Sequence, residues 1–104
     1  MTPDAFRHSA QIAAAPPPGL PGPLQALWWD AHGDWDRAHA AAQDGEDTDS
    51  AWVHAYLHRR EGDLANADYW YGRARRHRPE GSLEAEWVAI VGILLNAGSS
   101  PAAK

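Results

Sequence analysis

From Leu24 onward, apolar positions recur at spacings of three and four, the period of a helix and not of a strand. Leu24, Leu27, Trp28 and Ala31 line one face before Gly33 ends the segment. Asp34 can cap the helix that follows, which puts Trp35, Ala38 and Ala42 on one stripe. The turn formers and acids of "QDGEDTD" then break the pattern. A second pair of helices is predicted beyond them. Trp52, Val53, Tyr56 and Leu57 mark a helix from near Ser50 to Glu61, and Leu64, Ala67, Tyr71 and Ala74 face inward on one from about Asp63 to His77, closed by Pro79 and Gly81. Ser82 opens a last helix, in which Leu83, Trp87, Ile90, Val91, Leu94 and Leu95 recur at helical spacing and Glu84 and Glu86 sit near the positive end of its dipole. Its centre, "WVAIVGILL", is apolar all round and needs cover on more than one side, from the hairpins or a second subunit.

Ahead of this pattern, "TPDAFRHSAQIAA" can form a short helix with Thr2 or Asp4 near its cap and Phe6 and Ile12 as contacts. "PPPGLPGP", from Pro16 to Pro23, is a stiff linker, because proline lacks an amide hydrogen and restricts the residue before it. The expected fold is therefore all-α, with about five helices. Residues 1–23 form an N-terminal segment and linker, and residues 24–98 a helical domain. Within that domain lie antiparallel hairpins over 24–44 and 49–78 and an apolar capping helix over 82–97, with a flexible tail at 99–104.

A chain of 104 residues, 44% of them hydrophobic, supports one modest core. It contains no cysteine, which excludes disulfides, thiolate metal sites and a cysteine nucleophile and suits a reducing compartment. No apolar run is long enough for a signal peptide or a membrane span, so a cytoplasmic location is expected. A net charge of −5 argues against general nucleic-acid binding. The charge is uneven, however: Arg59, Arg60, Arg73, Arg75, Arg76 and Arg78 fall within one hairpin, whereas the chain up to His58 holds eight acids against Arg7 and Arg37. Such a dipole suits an acidic partner or self-association, although a solvated face is the plainer reading.

A shift of 29 residues lays Gly33-Asp34-Trp35 on Gly62-Asp63-Leu64, Ala38 on Ala67 and Ala42 on Tyr71. Glycine lets the chain leave one helix, aspartate caps the next, and a small residue four positions later permits close helix contact. Each hairpin then has an apolar face that another must cover. The order Gly62, Ala67, Tyr71, Ala74, Pro79 resembles the second half of a tetratricopeptide repeat, and "ANADYWYGRA" resembles the tryptophan-tyrosine helix of Sel-type repeats. The likeness runs from Leu24 to Pro79 and is weaker in the first copy, where Ala42 replaces the aromatic and Gly45 the second alanine. Trp52 stands one position later than the family's tryptophan, and His54 and His58 replace its leucine and tyrosine.

This resemblance implies a non-catalytic interaction module that binds a peptide along the first helix of each hairpin. Carried over, that face shows Asp49, Trp52, Tyr56, Arg59 and Arg60, with Leu27 and Asp30 from the first hairpin. Helix geometry agrees in part, since Trp52, Tyr56 and Arg59 fall on successive turns and can offer an aromatic floor with a guanidinium for a carboxylate. The competing reading is that Trp52 and Tyr56 are core. Because two repeats fall short of the usual three, a homodimer through Trp87, Val91, Leu94 and Leu95 is a compatible expectation.

One alternative is chemical. In "HAYLHRRE", His54, His58 and Glu61 share a helical face, and imidazoles with a carboxylate suit zinc or another divalent transition metal. His32 and His39 can add ligands from the first hairpin if the fold brings them close. The plainer reading is a structural hydrogen-bonding pair, and the spacing is not the His-Glu-x-x-His of metallohydrolases. No cofactor is therefore expected by default, and no catalysis. Ser50 and Ser82 start helices and lie in no nucleophile elbow, no glycine loop for phosphate is present, and "RARRHR" suits a helix C-terminus as well as RNA.

Overall fold

The computed structural model describes residues 1–99. The tail expected at 99–104 lies, from residue 100 on, outside the described residues. Among those described the protein is all-α, with six helices: α1 (Pro3–Ile12), α2 (Gly22–His32), α3 (Trp35–Gln43), α4 (Thr48–Glu61), α5 (Leu64–Arg73) and α6 (Leu83–Ser99). No helix is long and apolar enough to cross a membrane.

The hairpins α2–α3 and α4–α5 turn at equivalent glycines. Gly33 (φ 97°) and Gly62 (φ 92°) adopt the left-handed conformation that ends each first helix, a region where an added Cβ costs about 1–2 kcal/mol. The aspartates that follow cap the second helices, Asp34 accepting from Arg37 N and Asp63 from Asn66 N. Ala38 and Ala67, both fully buried, let α3 and α5 approach their partners closely. α4 starts earlier than the apolar pattern indicates, at Thr48, because Asp47 caps it and also accepts a bond from the Ser50 hydroxyl. α5 stops earlier, at Arg73, where Arg75 (φ 61°) takes up the left-handed cap position that glycine normally fills. Its second helix thus falls short of the expected His77.

Thr2 caps α1, and α1 packs on α2 and α6 through Phe6 and Ala10, both buried in the common core. Ile12, expected as a contact, is exposed, and so is Leu64 on α5. After the proline-rich stretch, α2 begins at Gly22 with Pro23 in its first turn, where a missing amide hydrogen leaves no bond unmade.

α6 packs across α1, α2 and α4, and it meets α5 only through side chains, with no Cα of one within 8 Å of a Cα of the other. It therefore lies over the first helices of both hairpins. Trp87, Ile90, Val91 and Leu94 are buried there, and the Trp87 indole donates to the Leu27 carbonyl at 3.2 Å. Its outer side carries the exposed Val88 and Ile93, so this helix is covered on one side and not all round.

Candidate metal centre

The surface expected to receive a peptide is closed from within the chain. Trp52 and Tyr56 are buried, and α6 covers the helix that carries them. The Tyr56 hydroxyl donates to Asp30 Oδ2 at 2.9 Å, and Arg60 pairs with the other oxygen of Asp30 at 3.0 Å. Arg59 performs the matching task on α6: it donates to Glu86 Oε1 at 2.8 Å and to the Gly81 carbonyl, while the Tyr71 hydroxyl donates to Glu86 Oε2 at 2.6 Å. Each adjacent arginine thus completes a buried tyrosine–carboxylate pair, one on α2 and one on α6. Burial raises the Asp30 carboxyl above the usual range against the pull of Arg60 and Tyr56, and both tyrosine hydroxyls are pushed up, first by burial and then by their carboxylate partners. Trp52 is stacked instead under Arg76, whose guanidinium lies 3.4 Å from the ring centroid. Asp49 alone of the expected binding residues keeps an exposed side chain free of these networks.

The residues expected to join two copies are equally engaged. Trp87, Val91 and Leu94 are core and Leu95 is partly buried against it, because α6 docks on its own chain. The apolar stripe packs against the rest of its own chain.

The histidines have a different environment. His54 and His58, four residues apart on α4, stack on one another with centroids 4.9 Å apart, and both are buried. α3 lies against α4 and brings His39 to them. His39 Nε2 lies 3.0 Å from His54 Nε2, and one ring nitrogen from each of the three imidazoles falls within 4.8 Å of the others. His32 does not join. It stacks on Trp28 and its Nδ1 meets the Ala10 carbonyl at 2.7 Å. Glu61 does not stand beside the imidazoles as a third ligand, as the helical face suggested. Its Oε2 accepts from His58 Nδ1 at 2.6 Å.

Two tryptophans hold the rings in place. Trp70 of α5 stacks on His54 at 3.9 Å with planes 12° apart, and Trp35 of α3 stacks on His39 at 4.9 Å, also at 12°. The Trp35 indole is itself fixed by donating to the Leu57 carbonyl at 3.1 Å. Two indole rings, one from α3 and one from α5, therefore restrict the freedom of the imidazoles before any ligand arrives, which lowers the entropy cost of binding one.

The electrostatics favour neutral imidazole at His39 and His54. Burial, reinforced by His39 and His58, lowers the His54 pKa to about 4. His39 is also lowered, by burial and then by His58, against the opposing pull of Glu61 and Asp36. Neutral imidazole is the form that donates a lone pair to a metal. In a tetrahedral zinc site, bonds of about 2.0–2.1 Å set the ligand nitrogens roughly 3.3 Å apart, so ring shifts of tenths of an ångström accommodate the observed 3.0 Å pair. The carboxylate behind His58 is the orienting partner that metal-bound histidines commonly have: it places the proton on Nδ1 and leaves the Nε2 lone pair free. A second grouping, His58, Glu61 and Asp63, is weaker chemistry, because its carboxylates are exposed and Asp63 already caps α5.

No protein-family model matches this chain, and no curated protein or solved structure matches it.

Proposed function

We propose that this protein binds a divalent transition metal of the zinc type through His39, His54 and His58, with Glu61 orienting His58. The observation that carries this reading is the convergence of three imidazole nitrogens, from two helices, within 4.8 Å. Three further features support it. His39 and His54 are held neutral by burial, Trp35 and Trp70 brace their rings, and a carboxylate sits behind the third imidazole. An all-imidazole set favours zinc, copper or nickel over magnesium or calcium, which prefer oxygen.

The test is calorimetric titration of chelator-treated protein with zinc. The expected result is one ion per chain, with affinity falling at least about 100-fold in His39→Ala and in His54→Ala, and by about 10–100-fold in Glu61→Gln. Wild-type protein that takes up no zinc, or His39→Ala protein that binds it unchanged, overturns the proposal.

A further inference from the structure

The three imidazoles do not complete a tetrahedral shell, and the identity of the fourth donor decides whether such an ion is purely structural or open to ligands. Within the chain the nearest carboxylate is Glu61. It is already engaged by Nδ1 of His58, and it is not among the atoms that converge with His39 and His54. Asp63 groups with His58 and Glu61 but not with the three histidines, and it is held by the Asn66 amide. Asp36 is exposed and acts on His39 only through its charge. Among the described residues no fourth histidine and no aspartate or glutamate joins the three-histidine set.

One member of the cluster reaches the surface. His54 and His58 are buried but His39 is only partly so. α3 and α5, the two helices that flank this face of α4, come nowhere within 8 Å of one another between Cα atoms. α6 lies on the other side, across α2 and α4. The cluster meets solvent at His39, its one partly exposed member, while Trp35 and Trp70, stacked on two of the rings, confine it and favour a small donor over a bulky one.

Resting on the metal-binding reading above, we infer that the ion held by His39, His54 and His58 keeps an exchangeable fourth position for water or a small monodentate anion. Charge sets the ligand class. Three neutral imidazoles leave the full double charge of the ion in place, and Glu61 and Asp36 neutralise it only from a distance, so an anion at the fourth position gains direct electrostatic stabilisation. The exchange is a substitution: bound water leaves as the anion enters, with no change of oxidation state. A site of this type is a Lewis acid in waiting, whereas one closed by a fourth side chain is a structural staple.

The experiment uses the full chain loaded with cobalt(II), whose visible bands report coordination, and titrates sodium azide into wild type and Glu61→Ala. The expected result is a saturable azide-dependent change in the cobalt bands of both proteins, with one azide per ion. Cobalt bound by wild type with bands indifferent to azide overturns the inference while leaving the metal-binding reading intact. An azide response seen only in Glu61→Ala also overturns it, because Glu61 must then close the native site. Failure of wild type to bind cobalt at all, with zinc binding also absent, removes the metal-binding reading and this inference with it.

Discussion

Lowering the pH of metal-free protein from about 7.5 to about 5 should remove roughly 2 kcal/mol of stability through His54 alone. The unfolded chain protonates this imidazole near its ordinary value of 6.5, whereas the folded chain resists until about 4. Between those values the unfolded state holds the extra proton. The contribution is therefore complete above 6.5 and drains away as pH falls toward 4, to a limit of about 3 kcal/mol. His39 acts in the same direction, its shift arising from burial and His58 and being opposed by Glu61 and Asp36. Asp30 acts in the opposite direction, since burial raises its pKa and the folded state accepts its proton first. Comparison with His54→Gln cancels Asp30, which lies on α2 and is bonded to Tyr56 and Arg60. The assay is urea unfolding followed by tryptophan fluorescence and helical circular dichroism at both pH values in the presence of chelator. The wild type should lose about 2 kcal/mol more than His54→Gln over this interval. Equal losses in the two proteins would show that His54 is not held neutral by its surroundings.

Two other substitutions test the packing around the hairpins. Tyr56→Phe leaves the buried Asp30 carboxylate with Arg60 alone and should cost about 1–3 kcal/mol in urea unfolding; a neutral result would mean that water replaces the hydroxyl at Asp30. Arg75→Gly relieves a left-handed backbone at φ 61° and should raise stability by about 1 kcal/mol, read as an increase in the urea midpoint at constant slope.

The sequence carried the hairpins in its own punctuation. Gly33-Asp34 and Gly62-Asp63 mark a left-handed exit followed by a cap, and both chemical requirements are local, so neither depends on what packs nearby. The end of α5 had no such marker. An arginine occupies the position where glycine would announce the stop. Gly45, which stands where the second copy has Ala74, became intelligible only in three dimensions: a Cβ there would run into the Ser50 side chain. Periodicity also identified the apolar face of α6 but not its cover. The face that could have met another copy lies on α2 and α4, and the Arg59–Glu86–Tyr71 group that ties α6 to α4 and α5 joins residues far apart in the chain. At the candidate metal centre, His54 and His58 were legible from their i, i+4 spacing on one helix. His39 was only one of two possible additions, because its arrival depends on the contact between α3 and α4, and the bracing by Trp35 and Trp70 left no signal in either helix alone.

The placement of α6 also governs the order in which this molecule can be built. The Trp87 indole meets the Leu27 carbonyl across 60 positions of chain, and Glu86 must reach back to Arg59 and Tyr71. A growing polypeptide that has released both hairpins still exposes the surface α6 will cover, and it presents two buried-to-be polar groups without their carboxylate. Hairpin formation is a local, rapid event, but closure of the core waits for the last described helix to leave the ribosome. During that interval the nascent chain is at its most vulnerable to aggregation, and a chaperone would find its clearest target there.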